Sequence, residues 1–305
     1  MSIQIYIDGK FYPKEDAKIS VFDHGLLYGD GVFEGIRAYQ ACIFKLKEHL
    51  DRLWESAHSL MIEIPMSKLE MQKAIIGTLK KNNFIDSYIR VIVTRGVGDL
   101  GLDPSLCKMP TVIIITDKIK LYPEELYQNG LSIVTVPTVR NLPEAVNPSI
   151  KSLNYLNNIL AKIEAKNSGC VEALMLNHQG YVAECTGDNI FMIKYHEGSP
   201  KQPLLLTPPT YLGALKGITR QGIIEIAAKR KICFEERVLT RHELFNADEV
   251  FLTGTAAEVI PVVKIDGRVI GSGKPGSVTN QLLKGFREIT RKDGVKYMLA
   301  NSKLR

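Results

Sequence analysis

A lysine, a glutamate and two turns of small residues carry the most readable chemistry in this chain of 305 residues. Lys151 stands in Asn147-Pro-Ser-Ile-Lys-Ser-Leu-Asn-Tyr155, directly ahead of an apolar-periodic stretch that predicts a helix over about 154–167. A cation at a helix N-terminus is disfavoured by the helix dipole. That field, helped by any burial, pushes an ammonium toward the neutral amine. A neutral lysine amine attacks carbonyl carbons, whereas an exposed, flexible lysine is the ordinary alternative. In Leu215-Lys-Gly-Ile-Thr-Arg220, ahead of a helix expected over 218–231, Gly217 allows close approach. The amides of Ile218 and Thr219 there, with the Thr219 hydroxyl, form a phosphate cradle or an ordinary cap. In Leu252-Thr-Gly-Thr-Ala-Ala-Glu258 a strand breaks at Gly254, exposing the amides of Thr255 and Ala256 to an anionic oxygen or making a plain tight turn. Glu184 shares strand parity with Val182 in Tyr181-Val-Ala-Glu-Cys185. A carboxylate on an apolar face needs a partner, which a protonated ring nitrogen or an arginine would supply, unless the face is exposed.

Other signals exclude function classes. Gly29-Asp-Gly-Val-Phe-Glu-Gly35 has the wrong spacing for a dinucleotide fingerprint, and Gly271-Ser-Gly-Lys-Pro-Gly276 lacks the end of a phosphate-binding loop. Six histidines show no ligand spacing, so no protein-bound metal is expected. The net charge of +6 comes from 39 basic and 33 acidic residues without a basic run, which disfavours nucleic acid and suits small anions. Five scattered cysteines, never paired as Cys-x-x-Cys, point to reduced thiols and a cytoplasmic setting. The start of the chain alternates like a strand rather than a signal peptide, and no apolar run approaches a membrane span.

These groups need elements to position them. A hairpin is expected over 3–8 and 10–13, around Asp8-Gly9. Helices are expected over Leu46–Met61 and Ser67–Lys81, the second with Ser67 as N-cap and Glu70 as its capping-box partner. Tyr88–Thr94 and Thr111–Thr116 read as strands. The polar stretch 118–130 reads as a linker between domains over 1–117 and 131–305. Beyond it come a strand near 131–137 and two strands meeting at His178-Gln-Gly180. A short helix over Arg241–Phe245, a strand over Glu249–Thr253 and a last helix near 276–291 follow. The irregular alternation indicates an α+β fold of mixed layers.

In their order along the chain, several segments resemble the branched-chain aminotransferase family, the fold-type-IV pyridoxal-phosphate enzymes. They are Tyr28-Gly-Asp-Gly-Val-Phe-Glu-Gly-Ile-Arg37, His49-Leu-Asp-Arg-Leu53, Tyr88-Ile-Arg90, Gly98-Asp-Leu-Gly-Leu-Asp-Pro104, Lys151-Ser-Leu-Asn-Tyr155, Glu184-Cys-Thr-Gly-Asp-Asn-Ile-Phe191, Gly217-Ile-Thr-Arg220 and Gly254-Thr-Ala-Ala-Glu258. The resemblance implies two α/β domains with the active site between them. It implies that Lys151 holds pyridoxal 5'-phosphate covalently and acts as the catalytic base. Glu184 would pair with the ring nitrogen. Arg52, Leu215, Ile218, Thr219 and Thr255 would hold the rest of the cofactor, and Tyr155 its ring hydroxyl. Tyr88, Thr255 and Ala256 would receive the substrate carboxylate, while Phe33, Arg37 and Arg90 shape the pocket. Tyr28 and Leu102 would come from a neighbouring subunit, making a dimer the smallest working unit. Arg52 shows what the resemblance adds: on a helical wheel it lies off the apolar stripe of 46–61 and reads as solvated.

The implied reaction converts L-leucine, L-isoleucine or L-valine and 2-oxoglutarate into branched-chain 2-oxo acids and L-glutamate. D-amino-acid transaminases, (R)-amine transaminases and aminodeoxychorismate lyases share the fold and would share Lys151 and Glu184. Phe33-Glu-Gly-Ile-Arg37, Tyr88-Ile-Arg90 and Gly254-Thr-Ala-Ala257 favour the branched-chain type.

Overall fold

Alternation decides the first sheet. In the strand Ser87–Thr94, Ser87, Ile89, Val91 and Val93 are buried while Tyr88, Arg90 and Ile92 are only half-buried. Two faces follow, one for a core and one for chemistry. The computed structural model describes residues 2–118, 122–196 and 199–299. By contacts the chain forms two units, one of Met1–Ile119, Ile150–Asn154 and Ile289–Arg305, the other of Lys120–Ser149 and Tyr155–Glu288. The division is therefore not a single cut at 118–130. The Lys151 segment joins the first unit because its main chain pairs with a strand there. The C-terminal segment joins it through the strand Gly294–Lys296, which pairs with Cys42–Phe44. Residues 119–121 of the expected linker lie outside the described residues, and Glu124–Asn129 within it is a helix.

The first unit contains β1 (Gln4–Ile7), β2 (Lys10–Pro13), α1 (His24–Tyr28), β3 (Gly31–Tyr39), β4 (Cys42–Phe44), α2 (Leu46–Ser59), α3 (Lys68–Lys81), β5 (Ser87–Thr94) and β6 (Thr111–Asp117). Its sheet runs Gly294–Lys296, β4, β3, β5, β6, β1, β2, with antiparallel neighbours throughout. On α2, Leu46, Leu50, Leu53 and Ala57 form one stripe and pack with Val32, Ile36, Ile89 and Val91 in a core that α3 completes with Met71, Ile75 and Leu79. Each such leucine contributes about 1.5–3 kcal/mol by leaving water. The expected capping box of α3 is present, with Ser67 N donating to Glu70 at 2.7 Å and Glu70 N to Ser67 Oγ at 3.3 Å. Helix α2 stops at Ser59 rather than Met61, because Met61 adopts φ +53° and is exposed.

The second unit carries α4 (Glu124–Asn129), β7 (Leu131–Thr135), α5 (Leu156–Asn167), β8 (Glu172–Leu176), β9 (Val182–Cys185), β10 (Asn189–His196), β11 (Ser199–Thr207), α6 (Ile218–Lys229), β12 (Cys233–Glu236), α7 (Arg241–Phe245), β13 (Glu249–Gly254), β14 (Glu258–Ile265), β15 (Arg268–Val269) and α8 (Ser277–Ile289). The sheet order is β12-β11-β10-β13-β14-β7-β8-β9, with β15 on β14. It mixes parallel pairs (β11 with β12, β14 with β7, β7 with β8) and antiparallel ones. Leu131, Ile133, Leu174, Ile190, Leu252 and Ile260 anchor its core. Among the described residues no helix is long and apolar enough to cross a membrane.

Candidate active site

The register of β3 on β5 sets Gly35 opposite Arg90 and Arg37 opposite Tyr88. With Phe33, these side chains share the face away from the core, since residues two apart point the same way. A Cβ at Gly35 would collide with the Tyr88 hydroxyl, so a glycine there makes room for it. Arg90 Nη2 donates to that hydroxyl at 3.0 Å, and the Arg90 guanidinium lies 4.4 Å from the Phe33 ring centre. Arg37 lies over the Tyr39 ring at 4.7 Å. The Lys151 segment runs antiparallel to the start of β3. Phe33 N donates to Lys151 O and Leu153 N to Gly31 O, both at 2.9 Å, with a bridge between Val32 and Ser152. Lys151 N donates to Ser56 Oγ on α2 at 3.1 Å. The main chain is thus fixed on both sides, and Lys151 Nζ stands 4.6 Å from the Phe33 ring centre. Helix α5 begins at Leu156, so Lys151 precedes its first turn along the chain.

The opposite face of β3 holds a buried ion cluster. Glu34 is fully buried between the core residues Val32 and Ile36. Arg52 Nε and Nη2 donate to its two oxygens at 2.7 and 2.8 Å, and His49 Nδ1 lies 2.8 Å from Oε2. Burial pushes the Glu34 carboxyl up, but the charges and hydrogen bonds of Arg52 and His49 outweigh it and hold it down at about 2. Burial also lowers the proton affinity of His49, with Glu34 opposing. Arg52 and His49 thus hold both carboxylate oxygens between them. Arg52 is accordingly buried, not solvated as its wheel position suggests. The sequence carries no sign that a glutamate, rather than water, waits for it.

In the second unit Glu184 is 5 % exposed on β9. The expected parity with Val182 fails, because the β8–β9 register shifts: Met175 pairs with Glu184 but Leu176 with Val182. The extra residue, Ala183, lets Val182 and Cys185 both enter the core and turns Glu184 to a polar neighbourhood, a common use of a bulge. Four donors surround the carboxylate. Arg140 Nη2 and Nε reach Oε1 at 2.9 and 3.1 Å, while Leu215 N and Asn189 Nδ2 reach Oε2 at 2.9 and 3.2 Å. Of the partners left open by the sequence, an arginine is present. Arg140, in the loop after β7, belongs to no motif, and nothing in its sequence neighbourhood marks it. Nearby, burial and then the Glu172 charge push Asp188 up to about 7, with Lys162 and Tyr122 opposing.

The same unit holds both anion-compatible turns. Helix α6 starts at Ile218 with Gly217 as an N-cap that makes no side-chain capping bond, and Thr219 in its first turn is buried. A Cβ at Gly217 would strike Asn189 Oδ1, so only glycine keeps this turn beside the residue that touches Glu184. Thr255 and Ala256 occupy the turn between β13 and β14, where Gly254 pairs with Glu258. Tyr155 is half-buried at the head of α5. Uncapped amides suit a phosphate and a buried carboxylate suits a protonated ring nitrogen, so these donors fit pyridoxal phosphate. Tyr28, closing α1, accepts a hydrogen bond from Gly101 N at 3.1 Å, which brings it to the loop bearing Leu102. Both side chains are exposed, Leu102 at 81 %.

Known proteins resemble the chain in sequence and in fold. The model of the family described as Amino-transferase class IV matches residues 31–265. A protein of Methanocaldococcus jannaschii is 52% identical over 295 residues, covering 96% of this chain and 99% of that one. The crystal structure of the Escherichia coli branched-chain amino acid aminotransferase superposes with a TM-score of 0.90 at 34% identity, covering 97% of each chain. The branched-chain amino acid aminotransferase from Thermobaculum terrenum, solved in its PLP-form, gives 0.84 at 30% identity, covering 95% of this chain and 94% of that one.

Proposed function

The chain belongs to the amino-transferase class IV family, and we propose that it transaminates L-leucine, L-isoleucine and L-valine with 2-oxoglutarate, giving branched-chain 2-oxo acids and L-glutamate. The observation that carries this reading is the Lys151 amine over the Phe33 ring, which Arg90 also touches, on a strand pair with Tyr88. It joins a nucleophile, an apolar wall and a cation suited to carboxylates. Relatives in the family named as branched-chain aminotransferases support the substrate class. When bound, pyridoxal 5'-phosphate supplies an aldehyde for amine exchange and a protonated ring that draws electrons from Cα.

The protein's residues do the remainder. Lys151 would hold the cofactor through its amine, the group that a substrate amine would replace. The same amine, once free, would serve as the base for the substrate Cα proton and then as the acid that gives it back. Glu184 keeps the proton on the ring nitrogen. The Ile218 and Thr219 amides, Thr255 and Arg52 hold the phosphate, and Tyr155 the ring hydroxyl. Leu215 contributes through its amide on Glu184. Tyr88 and the Thr255 and Ala256 amides are assigned to the substrate carboxylate, and Phe33, Arg37 and Arg90 to the shape of the pocket. Tyr28 and Leu102 complete the pocket of a second copy. A homo-oligomer is also supported by α5, where Leu156, Ile159, Leu160 and Ile163 form an exposed apolar stripe at helical spacing. Five free cysteines accord with a reducing cytoplasm.

A visible absorption spectrum before and after addition of L-leucine tests the reading. The cofactor band of the purified protein should change on addition, and again after 2-oxoglutarate. Lys151→Ala should keep its fold and lose transamination by at least roughly a thousandfold; wild-type turnover in that variant would refute the role of Lys151. Parallel assays with D-alanine and an (R)-amine should be negative, and faster turnover of either would move the protein to another branch of the family.

A further inference from the structure

Glu184 poses a problem of supply. A carboxylate has about four good lone-pair directions, and here all four donors come from the protein itself. A ring N–H can therefore join only by displacing one of them. The geometry shows which can yield. Asn189 Nδ2, the longest contact at 3.2 Å, is shared with Leu215 O at 2.9 Å. It keeps a partner when it lets Glu184 go. The Arg140 Nε contact is also shared, with Gly213 O at 3.1 Å. Its Nη2, however, holds Oε1 at 2.9 Å, and its Nη1 is fixed by Asn157 Oδ1 at 3.2 Å and Asn158 Oδ1 at 3.0 Å. Asn158 is itself anchored, donating from Nδ2 to Thr186 O at 2.8 Å. The arginine is 7 % exposed and grips the loop, β9, the Gly213 turn and α5 at once.

We propose that Arg140 is the positioning residue of Glu184: it holds the carboxylate in place, while Asn189 gives up its shared contact to the incoming ring N–H. The inference rests on the proposed pairing of Glu184 with the cofactor ring. It assigns Arg140 a part that begins before the cofactor arrives, since a buried carboxylate without a counter-charge would neutralise or disrupt its site. A lysine would keep the charge but not the two-pronged grip.

The test compares the full-length holoprotein with Glu184→Gln, Arg140→Met and Arg140→Lys. Two quantities are read: the position of the cofactor's visible band across pH, and the rate at which pyridoxal phosphate is released. Arg140→Met should move the band in the same direction as Glu184→Gln and release cofactor about 10- to 100-fold faster, as expected for loss of a charged hydrogen-bond pair. Arg140→Lys should fall between Arg140→Met and wild type. A wild-type band and release rate in Arg140→Met, with Glu184→Gln displaced, would overturn the role of Arg140 alone. An undisplaced band in Glu184→Gln would overturn the pairing of Glu184 and this inference with it. If Arg140→Met does not fold, Arg140→Lys decides, because wild-type values there contradict the need for a two-pronged grip.

Discussion

A buried glutamate–arginine pair stands in each unit, Glu34 with Arg52 and Glu184 with Arg140, and the two are built in opposite senses. In the first, the pair closes around the carboxylate: Glu34 is inaccessible, and Arg52 and His49 meet it with contacts of 2.7–2.8 Å. In the second, it closes around the arginine. Arg140 spreads its donors over Glu184, Gly213, Asn157 and Asn158, and its contacts to Glu184 are longer, 2.9 and 3.1 Å. On the proposed function the working partners are inverted accordingly. Glu34 is the anchor that holds Arg52 for a phosphate, whereas Arg140 is the anchor that holds Glu184 for a ring nitrogen. Burial depth separates a group that sets structure from one that must still exchange partners.

The strongest way to break this comparison is to remove the deeper anchor. Glu34→Gln leaves Arg52 buried without a counter-charge and should destabilise the fold by roughly 3–5 kcal/mol in urea unfolding. A loss below that of an ordinary surface change would mean that the pair is not structural. Acid should act through the same carboxylate. Its folded value of about 2 lies below the ordinary 4.5, so the stability it contributes is complete above about 4.5. Between there and about 2 the unfolded chain takes up the proton first, and about 3 kcal/mol should be lost. Glu34→Gln should remove this acid limb, and an unchanged limb in the variant would assign it to another group.

The shallower pair should respond differently. Glu184→Gln removes the counter-charge of Arg140, which keeps its contacts to Gly213, Asn157 and Asn158, so unfolding should shift by roughly 1–3 kcal/mol, less than in Glu34→Gln. Single-turnover proton removal should nevertheless slow by roughly a hundredfold as the ring loses its partner. Equal losses of stability in Glu34→Gln and Glu184→Gln would erase the contrast. The smallest effect is expected at Ser56, whose Oγ accepts the Lys151 amide. Ser56→Ala should cost about 1 kcal/mol and slow turnover only a few-fold, which calorimetry and steady-state assays would measure.

The sequence is most readable where the signal is local. The Ser67 capping box, the Asp8-Gly9 hairpin and the apolar stripe of α2 depend on neighbours within one or two turns, and they stand as read. Strand β3 is less visible, because Gly35 and Glu34 interrupt any apolar alternation along its nine residues. The Tyr181–Cys185 segment departs from its expected parity, since a bulge depends on the partner strand and not on the strand itself.

Residue types and their order along the chain determined the chemistry on offer: an amine, a carboxylate, backbone amides beside glycines, and the family to which they belong. Which charge meets which was decided only by tertiary structure. Arg52 stands 18 positions from Glu34, and Arg140 stands 44 positions from Glu184. An ion pair in a dry interior depends on distance and burial together, and neither is written in the local sequence.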